Sequence, residues 1–228
     1  RARAPQPERH PQAQQPETGP NRQQVHPVQR AQRRQTVEQP AHALLLHLAL
    51  LDQEDLPGLQ ALAVAQVQKG ARYLTINVGE KAVANPSFLV QLIQAGQAAV
   101  DVPLAFDYPH QSVQALCLKT YDPGRARGRK PIVNSVTESR LDMLDLLKIQ
   151  PFRLVLLASE RLENGRASAN RTAAEIAQTA QRLVHRIVNA RCGLALDDLI
   201  IDVSLFPIAS DTDGQTRRSI DAIKLLGD

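Results

Sequence analysis

Cysteine is scarce, and two in 228 residues cannot staple a secreted scaffold, so a reducing, cytoplasmic compartment is expected. Long apolar runs are also missing. The longest candidate, Ala43–Leu51, is interrupted by His47 and falls short of the ~20 residues of a membrane span, so no membrane association is expected. The N-terminal stretch is polar and basic with no apolar h-region, so no signal peptide is expected. Tryptophan is absent, and no dense Lys/Arg block is interleaved with aromatics, so nucleic acid is not an expected partner.

The net charge of +4 sits in one place. Residues Arg1–Pro40 hold 7 Arg, no Lys and 3 Glu, and the rest of the chain holds 20 basic and 20 acidic residues. The same 40 residues carry 7 of the 15 prolines and 10 glutamines, with almost no large apolar side chain. Such a segment cannot bury enough surface to offset its ordering entropy. It reads as a disordered tail (1–40) before a neutral domain (41–228).

Within that domain, amphipathic stretches alternate with short apolar runs. Leu59, Leu62, Ala63 and Val67 fall at helical spacing before Gly70, a C-cap. Asn85-Pro86 is a cap followed by an N1 proline, and it opens a helix carrying Phe88, Leu89, Leu92 and Ile93. Further helices are expected around Val113–Cys117, over Leu141–Ile149 and Ala173–Ala190, and through Ile220, Ile223 and Leu226. The strand candidates are Leu74–Val78, Val102–Phe106, Ile132–Val133, Leu154–Leu157 and Leu199–Ile201. Their apolarity is continuous rather than alternating, which points to a parallel sheet covered on both faces. No glycine-rich dinucleotide turn follows any strand, which weakens the doubly wound alternative. A TIM-type (β/α)8 barrel takes about 250 residues, so the expectation is an incomplete one, lacking strands 7 and 8.

In such folds ligands bind at the carboxyl ends of the strands. The polar residues expected there are Asn77, Asp107, Asn134, Ser159-Glu160 and Asp202. Burying a polar group at a strand end costs a few kcal/mol unless it is paired. Two carboxylates and two carboxamides at one rim suit a flat amino-pyrimidinone edge, because a carboxylate accepts from ring N–H and exocyclic NH2 together. Local capping or turn formation is the alternative for each residue taken singly.

From about Gln66 onward the stretches KGARYLTINVGE, VPLAFDYP with QSVQALCLK, KPIVNSVTES and DDLIIDVSLFPIASD follow one another. In this order they resemble the pterin-binding barrels of methyltetrahydrofolate:corrinoid methyltransferases. The resemblance implies that Asp107, Asn134 and Asp202 hold the pterin, with Asn77 on the same rim and Asp107 and Asn134 as catalytic residues. It also implies transfer of the N5-methyl group of methyltetrahydrofolate to a Co(I) corrinoid (cobalamin) carried by a partner protein. A homodimer is admitted as well, and no metal site is expected in the chain itself. Thr75 stands where the family has an acidic residue, and Val203 where it has proline. No Gly-Glu-Arg first strand precedes Pro57, and Ala43–Leu51 is at most a replacement for it.

A dihydropteroate synthase-type enzyme and a non-catalytic barrel subunit that binds a corrinoid protein are the alternatives. The first would want glycine after Asp202, where Val203-Ser204-Leu205 stands. Other features have simpler readings. His110 is expected to cap the helix after it, with a proton relay as the alternative. Arg125–Lys130 is expected to be a solvated loop on the far face. Cys117 is expected in the core, and Glu163–Asn170 as a mobile stretch that leaves open whether Glu160 reaches the site.

Overall fold

The computed structural model describes residues 48–205, 209 and 211–227, all within the compact unit His47–Asp228. The Arg1–Pro40 tail lies outside the described residues. Residues 48–52 are helical, so the described part of Ala43–Leu51 is not a replacement strand.

Helix α1 (Leu56–Gln68) opens where the Asp55 carboxylate accepts from the Gly58 N–H at 3.1 Å. It stops at Lys69, and Gly70 turns the chain with φ +99°, a conformation that costs glycine no Cβ clash. Strand β1 (Leu74–Ile76), helix α2 (Lys81–Ala84) and helix α3 (Pro86–Ala99) follow, with the Asn85 side chain accepting from Phe88 N–H at 3.2 Å as its cap. Then come β2 (Leu104–Asp107), α4 (Gln111–Thr120), β3 (Ile132–Val136) and β4 (Arg153–Leu157). Strands β5 (Glu160–Glu163) and β6 (Arg166–Ala169) precede helix α5 (Ala173–Asn189), and β7 (Leu199–Asp202) precedes α6 (Gln215–Gly227).

Strands β1, β2, β3, β4 and β7 form one parallel sheet in that order. Each strand lies beside its predecessor in the sheet, and the order never reverses as it does at the switch point of a doubly wound sheet. The fold is thus α/β with a parallel five-stranded sheet, an arrangement compatible with part of a (β/α) barrel.

Side chains alternate between the two faces of the sheet. Leu104, Phe106, Val133, Leu154 and Leu156 are fully buried against Leu89 and Ile93 of α3, Cys117 of α4 and Leu183 of α5. Burying each large apolar side chain there contributes roughly 1.5–3 kcal/mol, which makes this helix-covered face the core. The opposite face carries Thr75, Ala105, Asp107, Ile132, Asn134, Arg153 and Val155 in neighbouring registers. Across it Arg153 donates from Nη1 to the Tyr73 hydroxyl at 3.0 Å, linking β4 to the residue before β1.

The amino ends of the strands are tied by charge. Lys130 Nζ holds both carboxylate oxygens of Asp198 at 2.8 Å, and Arg153 Nη2 donates to the Asp197 carbonyl at 3.0 Å. Arg127 pairs with the Asp101 carboxylate, Arg129 donates to the Asp101 carbonyl, and Arg125 lies 3.9 Å from Asp122. The basic run from Arg125 to Lys130 is therefore an ion-paired loop at this end.

Two local expectations change, and the last helix shows which of its faces is buried. Leu141–Lys148 is a 3₁₀ helix rather than an α-helix. Residues 163–170 are not an irregular stretch, because β5 and β6 make an antiparallel hairpin turning at Asn164-Gly165, both with positive φ (52° and 78°). On α6 the buried residues are Ser219 and Ala222, while Ile220 and Ile223 are 43% and 52% exposed.

Candidate functional site

The four rim residues share one end and one face of the sheet. Asp107 ends β2 directly beside Asn134 of β3, and Asp202 ends β7 beside Leu157 of β4. Asn77 follows β1 and bridges to β2, its Nδ2 donating to Asp107 Oδ2 at 3.1 Å. Its Oδ1 accepts from the Gly79 N–H at 2.9 Å, which fixes the orientation of the amide. Asn77 thus orients the Asp107 carboxylate instead of presenting a free amide.

Asp107 and Asn134 are half-buried, and the Asn134 carboxamide has no hydrogen-bond partner among the described residues. Asn134 is accordingly the group at this rim with an unused donor pair and an unused acceptor. Asp202 turns Oδ1 to the Ser204 N–H at 2.7 Å, while its main-chain carbonyl accepts from Ala158 N–H at 2.8 Å. Ser204 has φ +58°, so the chain leaves β7 in a tight turn made without glycine. The structure hydrogen-bonds Asn77 to Asp107 and sets Asp107 beside Asn134 in register, with Asp202 two strands further along the same rim.

Underneath, two residues that the sequence reading missed hold the strand ends. Gln114 of α4 is fully buried, and its Nε2 lies 2.9–3.1 Å from the carbonyl oxygens of Phe106, Tyr108 and Asn134. Its Oε1 is buried without a partner among the described residues. Tyr108 accepts from Val78 N–H through its hydroxyl at 3.1 Å and donates its own N–H to the Asn134 carbonyl at 3.3 Å. Burial pushes the Tyr108 phenol well above its ordinary range, so it stays neutral. A glutamine on an otherwise apolar helix face was the only sequence signal for this support.

Glu138, beyond the end of β3, was also missed. Its carboxylate accepts from Arg182 Nε at 2.8 Å and from Leu162 N–H at 2.8 Å, which ties α5 and the hairpin to the rim. Burial alone would raise its pKa, but the bonds from Arg182 and Leu162 outweigh that and hold it below the usual carboxylate value.

His110 is exposed and occupies the position before α4, but its side chain makes no capping bond, contrary to expectation. Glu160 does reach the rim, as the first residue of β5, and its carboxylate has no partner among the described residues. Cys117 is in the core, where burial pushes its thiol up to about 12. Among the described residues, no group of His, Cys, Asp and Glu could hold a metal ion, and no helix is long and apolar enough to cross a membrane.

Compared with family models and with curated proteins, the sequence finds no match. The chemistry of the rim therefore has to be argued from its own geometry.

Proposed function

We propose that this chain binds a pterin on the face of its sheet that carries the rim residues and acts as a methyltetrahydrofolate:corrinoid methyltransferase, with the sheet forming part of a (β/α)8-type barrel. The observation that carries the reading is the Asn77–Asp107 hydrogen bond beside Asn134 in register, with Asp202 on the same rim. Asp107 keeps one carboxylate oxygen clear of Asn77 for ring N–H groups, and the unengaged Asn134 amide offers a donor and an acceptor beside it. The uninterrupted strand order supports the barrel.

In the proposed reaction the methyl–N5 bond breaks and its electron pair remains on nitrogen. The acceptor, a Co(I) corrinoid on a partner protein, supplies the pair for the new bond. A tertiary amine leaves poorly unless its nitrogen gains a proton, so the protein's task is to hold a hydrogen-bonded proton at N5 and to fix the ring. Asp107 and Asn134 take that role and Asp202 anchors the ring.

The test is calorimetric titration of the protein with methyltetrahydrofolate, followed by an assay of methyl transfer to free Co(I) cobalamin. Absence of binding at millimolar ligand rules the reading out. Binding without transfer leaves pterin recognition and removes the methyltransferase assignment.

A further inference from the structure

A cavity of about 220 Å³ lies between the hairpin, the first turns of α5 and α6, and the turn after β7. It is lined by Ser159, Glu160, Ile176, Ser204, Gln215 and Arg218, among others. Arg218 is fixed in place by two main-chain carbonyls, donating from Nη1 to Arg171 at 2.7 Å and from Nη2 to Asp213 at 3.3 Å. No carboxylate among the described residues lies within ion-pair distance of it, although the Asp211 charge is near enough to interact with it through space. The nearby Asp211 turns its two oxygens to the N–H groups of Gln215 and Thr216 at 2.6 and 2.7 Å. A guanidinium has five N–H donors, so Arg218 keeps a fork for an incoming anion.

Glu160 lines the same cavity, yet among the described residues no ion pair joins it to Arg218 and its carboxylate has no hydrogen-bond partner. The hydroxyls of Ser159 and Ser204 and the Gln215 amide likewise have no side-chain partner among the described residues. Two opposite charges with no ion pair between them, set beside hydroxyls in one small cavity, call for a ligand with the complementary pair. The volume equals that of about seven waters and is below the ~300 Å³ at which drug-sized sites begin, so the ligand is small.

We infer that this cavity binds a small zwitterion of the free α-amino acid class, its carboxylate on Arg218 and its ammonium on Glu160. Ile176 and Val203 give the side chain a short apolar wall. The inference does not rest on the pterin reading, since none of the four residues assigned to the pterin lines this cavity.

The test is calorimetric titration of the full chain with glycine, L-alanine, L-serine and L-glutamine, each alone. At least one is expected to bind saturably at millimolar concentration or below. Its carboxamide and its N-acetyl derivative, each lacking one charge, are expected to bind at least about tenfold more weakly. Glu160→Gln and Arg218→Gln are each expected to weaken the free amino acid similarly. The two derivatives and Glu160→Gln keep the test decisive even if Arg218→Gln loosens α6. Saturation by none of the four amino acids overturns the inference, as does equal binding of the derivatives. Tight binding of inorganic phosphate that only Arg218→Gln weakens overturns it too, because that identifies a simple anion site.

Discussion

Glu138 and Arg182 form an ion pair of unequal burial: the carboxylate side chain is 2% exposed and the guanidinium 43%. The same carboxylate accepts the Leu162 N–H, so one buried anion joins the loop after β3, the hairpin and α5. Replacing the cation strands this charge in a site it cannot leave. Arg182→Met is therefore expected to destabilise the fold by roughly 2–3 kcal/mol, near the low end for a broken buried pair because Arg182 itself is half in water. Chemical denaturation of the variant measures this, and an unchanged midpoint would refute it.

The pair also makes stability depend on acid. Glu138 has a folded pKa below its unfolded value, so its contribution is fully present above the ordinary glutamate range. It is lost as the pH falls through the lowered folded value. Hydrogen exchange at Leu162 is expected to quicken as the pH drops below about 4, relative to intrinsic rates, and Glu138→Gln is expected to remove that dependence.

Most of the sheet was legible because its strands are short apolar runs ended by polar residues, and Asp107, Asn134 and Asp202 are what ends them or interrupts them. The supports were not legible. A burial pattern can mark the α4 face that carries Val113 and Cys117, but it cannot say that Gln114 on that face reaches three carbonyls of two strands. On α6 the isoleucines marked the helix but not its buried face. The contact with α5 and the turn after β7 instead admits small residues, with Ser219 Oγ donating to the Ser204 carbonyl at 2.5 Å and Ala222 fully buried. The hairpin carries a readable turn signal in Asn164-Gly165, but its polar, exposed flanks lack the alternating apolar pattern that marks strands.

Gln114→Leu tests the support beneath the site. Leucine fits the apolar helix face but leaves three carbonyl oxygens without their buried donor. The expected cost is about 1–3 kcal/mol, read as a lower denaturation midpoint. Because two of those carbonyls belong to residues at or beside the rim, the affinity for methyltetrahydrofolate is expected to fall as well.

The rim itself makes a graded prediction that separates contact from positioning. Asp107→Asn keeps size and shape but turns an acceptor-only group into one that competes with ring N–H donors, so methyltetrahydrofolate affinity is expected to drop by about a hundredfold. Asn77→Ala removes only the 3.1 Å bond that orients Asp107, and about a tenfold loss is expected. In the double variant the two losses should not add, because with Asp107 replaced there is no carboxylate left for Asn77 to orient. Calorimetric titration of the two single variants and the double variant provides the cycle. Additive losses would show that Asn77 meets the ligand directly and would overturn its assignment as a positioning residue.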